Sequence, residues 1–170
     1  MRWLLLLFCT LPLATLGQQK PLDCDASPNH RQFDFWLGYW EVRDGEGNLG
    51  GHNRISAEQN GCVLEEQWRS VRGGTGQSLN YYDPGSGKWR QLWVDAGASI
   101  IDISGGLKEG SMVLEGRIYY LTADVEKPFR GTWTLLEDGR VRQFFQEQDA
   151  EGQWQTWFEG FYSRTVEAVE

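Results

Sequence analysis

The chain has 170 residues and a formal charge of −8 at neutral pH, with nine tryptophans and only two histidines. An acidic balance of this size repels nucleic acid and anionic lipid surfaces, so polyanion binding is set aside. The length suits one domain with a full core, and no shift in composition marks a linker.

Residues 1–17 have the form of a secretory signal peptide: Arg2 precedes the apolar run Leu4 to Leu16, and small Gly17 stands where cleavage would fall. The run is too short to span a bilayer. Nothing later resembles a membrane segment, so the expected product is secreted or periplasmic, with no membrane contact once the leader is gone. Cys9 lies inside the apolar run behind bulky Phe8 and is read as part of the leader. Two cysteines then remain, Cys24 and Cys62, and an even count in an exported protein favours a disulfide over two free thiols.

Residues 18–29 read as a polar arm, and 30–165 as a single domain. Ser27 followed by Pro28 is a helix start, with the serine as cap, and the helix is expected to run to about Trp36. Phe33, Trp36 and Leu37 share one face of it, and Gly38 lets the chain leave. Trp40 and Val42 then alternate with Tyr39, Glu41 and Arg43, which is the two-residue period of a strand with one buried face.

From there short alternating segments are separated by turn residues at even spacing. Strands are expected at Gly51–Gln59, Cys62–Val71, Gln77–Asp83, Lys88–Asp95, Ser99–Ser104, Ser111–Tyr120, Phe129–Glu137, Arg140–Gln148 and Gln153–Arg164. Asn60-Gly61 is the clearest hairpin signal. About ten antiparallel strands joined by short hairpins suggest an all-β, up-and-down barrel, with the N-terminal helix closing one end. A two-layer sandwich is the competing architecture.

Gly38-Tyr39-Trp40, just after a short N-terminal helix, resembles the G-x-W signature at the first strand of the calycins, the superfamily of lipocalins and fatty-acid-binding proteins. The longer string FDFWLG-x-WEV, with GCVLEEQW, SLNYYDPGSGKWRQLWVD and a closing FEGFYSR, resembles a family of exported lipocalin-like proteins. That likeness spans Phe33 to Arg164 and implies a calycin barrel, with no ligand or reaction carried over. The chain also resembles the nitrobindins, ten-stranded barrels that hold haem through a histidine near the C-terminus. Here the histidines are His30 and His52, both early, so no cofactor is expected.

Trp89, Gln91, Trp93 and Asp95 fall on one strand face and Lys88, Arg90, Leu92 and Val94 on the other. The tryptophan face is the expected interior, because Lys88 and Arg90 are seldom buried without partners. Leu64, Glu66 and Trp68, and Ser78, Asn80 and Tyr82, repeat the theme on the two preceding strands. Aromatic walls with a few convergent polar groups are the usual form of a small-molecule site, and the alternative is a solid core whose polar groups bond one another. The candidate ligand-binding residues are Trp40, Glu66, Trp68, Asn80, Gln91, Trp93, Asp95 and Arg142. Arg142 would offer a fork to a ligand carboxylate, to Glu66 or to Asp95, against the alternative of a solvated arginine near a turn. Trp154 and Trp157 fall on opposite faces of the last strand, so at least one is exposed, at the barrel mouth or under the helix.

No metal-ligand spacing or nucleophile motif is present. The expected function is binding of a small, partly apolar ligand. The alternatives are an enzyme using Glu66 and Asp95 as acid and base, and an interaction scaffold with a filled interior and an apolar outer patch.

Overall fold

The computed structural model describes residues 23–166; the proposed leader and the first residues of the arm lie outside the described residues. Ten antiparallel strands follow one another in sequence order: β1 (Gly38–Arg43), β2 (Leu49–Glu58), β3 (Val63–Ser70), β4 (Thr75–Asp83), β5 (Lys88–Asp95), β6 (Ser99–Lys108), β7 (Ser111–Tyr120), β8 (Val125–Leu135), β9 (Val141–Gln148) and β10 (Trp154–Arg164). Each pairs with its successor, and β1 also pairs with β10, Trp40 opposite Arg164 and Val42 opposite Tyr162. The sheet is therefore a closed up-and-down barrel with no free edge, as expected, and the sandwich is excluded.

The N-terminal segment is not the single helix that Ser27-Pro28 suggests. It makes three successive 3₁₀ turns, Cys24–Ala26, Pro28–Arg31 and Asp34–Trp36. Ser27 makes no side-chain cap, and Phe33, at φ −108° and ψ 7°, breaks the run before the third turn. The tighter winding has a purpose in packing. In a 3₁₀ turn residues three apart eclipse one another, so Phe33 and Trp36 stack face to face with centroids 5.0 Å apart. Both rings are fully buried against Trp133, and Phe33 also meets Trp89 edge-on at 5.6 Å.

Three further bonds hold this plug in one barrel end. Cys24 and Cys62 form the expected disulfide, Cα to Cα 5.0 Å, joining the segment to the β2–β3 turn. Arg31 Nη2 donates to the Gly61 carbonyl at 2.7 Å, and Trp89 Nε1 donates to the Asn29 carbonyl at 3.1 Å. Trp40 continues the same cluster: its Nε1 donates to the Trp36 carbonyl at 2.8 Å, and the Arg164 guanidinium lies 4.5 Å over its ring. Arg164 Nη1 also donates to the Leu37 carbonyl, and a Cβ at residue 38 would lie 2.6 Å from that nitrogen. With φ at +135° as well, only glycine suits position 38.

β2 and β4 begin two residues earlier than their sequences suggest, and β6 and β8 run further still. β6 continues to Lys108 through Gly105 and Gly106, because Gly105 is paired with Trp89 on one side and Leu114 on the other. β8 begins at Val125 and includes Pro128, which pairs with Arg117 of β7, while pairing with β9 starts only at Phe129. The missing N–H of Pro128 thus falls where β8 still has one neighbour.

Candidate functional site

The barrel interior is divided by a layer of polar side chains. Glu66 of β3 stands directly opposite Ser78 of β4, and the serine hydroxyl donates to Glu66 Oε2 at 2.6 Å. Asn53 of β2 donates from Nδ2 to Glu66 Oε1 at 2.7 Å and to the Tyr162 hydroxyl at 3.4 Å. Asn80 Nδ2 donates to Ser78 Oγ at 2.8 Å and to the Leu64 carbonyl at 3.1 Å, and Gln91 Nε2 donates to Asn80 Oδ1 at 2.8 Å. Tyr162 in turn donates to Gln143 Oε1. All these groups are buried, and mutual bonding is what makes their burial tolerable.

Burial raises the Glu66 carboxyl from its ordinary 4.5 to about 7, and the bonds from Ser78 and Asn53 only partly offset it. Burial, and the neighbouring Glu66 charge, push the Tyr162 phenol well above its usual range.

Below this layer lies the aromatic plug. Above it, toward the β1–β2, β3–β4 and β5–β6 turns, the barrel is open. A cavity of about 510 Å³ has Glu66, Gln143 and Tyr162 at its floor, Trp68, Trp93, Phe145, Trp157 and Phe158 as walls, and Asp44, Arg72 and Asp95 among the residues of its mouth. The interior is thus neither solid nor hollow: it is packed at one end and open at the other.

The wall rings lie flat because neighbouring strands carry glycine where they pass. A Cβ at Gly76 would collide with the Trp93 ring, and one at Gly51 would stand 2.6 Å from the Trp68 ring. Gly76 pairs with Trp68 on one side and Asp95 on the other, so the glycine that makes room for the Trp93 ring lies beside the Trp68 wall.

Of the eight candidate residues, Glu66, Trp68, Trp93 and Asp95 line the cavity. Asn80 and Gln91 are buried in the supporting polar layer, one step from it. Trp40 belongs to the plugged end instead, held by Trp36 and Arg164.

Arg142 is a correction. Val141, Gln143 and Phe145 face inward on β9, so Arg142 faces outward, where it pairs with Glu159 at 2.6 Å and lies over the Phe144 ring. It offers no fork to the cavity, to Glu66 or to Asp95.

Asp95 accepts from the backbone N–H and hydroxyl of Ser99 and from Trp93 Nε1, bracing the β5–β6 turn and orienting a wall ring. It shares no hydrogen bond with Glu66, so the two do not form a carboxylate dyad.

Among the lining residues missed are Gln143, Phe145, Trp157, Phe158 and Tyr162 at the floor and walls. Gln143 between Val141 and Phe145 on one strand face carries the same signal as Gln91 between Trp89 and Trp93, an amide among apolar neighbours. Trp157 and Phe158 carry no such signal. A register shift between Thr156 and Phe158 lets two successive residues reach the cavity, which strict alternation forbids. Trp157 Nε1 donates to the Tyr120 hydroxyl, while Trp154 lies under the Arg130 guanidinium.

Among the described residues no three His, Cys, Asp or Glu side chains come together as a metal site, and no helix is long and apolar enough to cross a membrane. Neither a family model nor a curated protein matches the chain.

Proposed function

We propose that this protein is a calycin-type barrel that acts outside the cytoplasm and binds a small, partly apolar ligand in its open half. The observation that carries this reading is the cavity itself: about 510 Å³, walled by five aromatic rings and floored by polar groups held in place from behind. The Gly38-Tyr39-Trp40 element at the plugged end supports the calycin assignment, and the Cys24–Cys62 bond supports an oxidising compartment. An interaction scaffold with a filled interior fits less well, because half of the interior is not filled.

Native mass spectrometry of protein purified from its own source is expected to find a co-purifying small molecule. Adding that molecule back should quench tryptophan fluorescence and raise Tm, since a ligand at about a hundred times its Kd stabilises by about 2.7 kcal/mol. Recovery of the bare polypeptide mass, with no thermal shift from a lipophilic extract, would sink the reading.

A catalytic reading rests on one specific feature, the Glu66 carboxyl at about 7 facing a cavity, which is where a general base is effective. It would use Glu66 with Tyr162 beside it, because the Asp95 oxygens are already committed to Ser99 and Trp93.

A further inference from the structure

We propose, building on the ligand-binding reading, that the cavity selects an organic cation: a protonated amine on an aromatic or branched apolar body, with its ammonium seated against Glu66. Two features of the site converge on this class: the carboxylate at its floor, and the aromatic walls and acidic mouth above it.

Glu66 is the deepest charged group, and both its oxygens are held by neutral donors, Ser78 and Asn53. Burial and those two donors are what set its ionisation; no basic side chain enters. Arg72, the basic residue among the lining groups, stands in the β3–β4 turn at the mouth. A buried carboxylate lacking a cationic partner is a costly arrangement that a cation entering from outside relieves.

The walls above Glu66 are aromatic, with Trp68 and Phe158 meeting edge to face at 6.3 Å, and a ring whose face meets the cavity attracts an ammonium and its alkyl carbons together. At the mouth Asp44 and Asp95 outnumber Arg72, on a chain of charge −8, so the entrance field also favours a cation.

The test is calorimetric titration of the intact protein with a matched series, 3-phenylpropylamine, 3-phenylpropanol and 3-phenylpropionate, at about pH 8 and about pH 5. The charged or titratable groups sharing the cavity with Glu66 are Tyr162 on β10, Asp95 on β5, Asp44 on the β1–β2 turn and Arg72, so Glu66→Gln is run in parallel to isolate its part. At the higher pH the amine should bind at least about tenfold tighter than the alcohol, and the carboxylate weakest. The amine's advantage should shrink severalfold at the lower pH, and Glu66→Gln should bind amine and alcohol alike at both. An amine no better than the alcohol, or an advantage that survives Glu66→Gln, overturns the cation assignment while leaving the pocket reading intact. Binding of none of the three overturns the cation assignment as well, and the pocket reading is then decided by the native mass and thermal-shift measurements. If Glu66→Gln does not fold, the wild-type comparison still decides, because a preference that is the same at both pH values rules Glu66 out as its source.

Discussion

At the barrel end reached by the N-terminal segment, Phe33, Trp36, Trp89 and Trp133 pack on one another with almost no accessible surface; at the other, Trp68, Trp93, Trp157 and Phe158 face a cavity. Tryptophan and phenylalanine dominate both ends. What differs is that a covalently tethered plug fills one bore and nothing in the described chain fills the other. An aromatic ring in a small barrel becomes core or wall according to whether the chain supplies something to pack on it. The Glu66 layer is the boundary, and it keeps the open half polar at its floor.

The contrast predicts that the two ends fail separately. Replacing Cys24 and Cys62 with serine removes a cross-link spanning 38 residues, which on chain-entropy grounds costs about 4 kcal/mol. Denaturant unfolding should register that loss while ligand affinity at the open end stays within a factor of two or so. A comparable loss of affinity in the double variant would show that the two ends are one cooperative unit.

Next in size is the pH response of the boundary. Because burial raises the folded-state Glu66 carboxyl to about 7 from 4.5, the folded protein holds that proton more tightly than the unfolded chain between those values. The stability that neutral Glu66 contributes is complete below about pH 4.5 and is lost as the pH rises through about 7, in all about 3 kcal/mol. Glu66→Gln should remove this slope and be the more stable protein at about pH 8, read as the difference between the two stability–pH curves. Parallel curves would mean that Glu66 titrates as an ordinary carboxylate.

The smallest effect sharpens the account of the walls. Gly76→Ala places a methyl against the Trp93 ring, so it should cost about 1–3 kcal/mol and weaken binding by displacing a wall. The same change at Gly106, where a Cβ meets no atom within 4 Å, should leave binding unaltered. Equal effects at the two positions would remove the argument that strand glycines shape the cavity.

Alternation and turn chemistry are local properties, and the sequence alone determined what depends on them: ten strands, their inward faces, and the polar triplet of Glu66, Asn80 and Gln91 among aromatics. Compartment and parity sufficed for the Cys24–Cys62 pair. Local rules failed wherever a distant contact outweighed them. The stretch after Ser27 winds as 3₁₀ turns because Phe33 and Trp36 must stack inside a bore whose wall, Trp89 and Trp133, comes from strands far along the chain. Arg142 faces Glu159 across β10, a pairing set by the register of the last hairpin. Trp157 reaches the cavity only through a bulge, which shifts parity by one residue without a mark in the local pattern. Whether the tryptophans enclose a cavity or a core was likewise a tertiary decision, since it depends on how far a plug anchored at Cys62 extends into a barrel closed between β1 and β10. No window of sequence contains both ends of that contact.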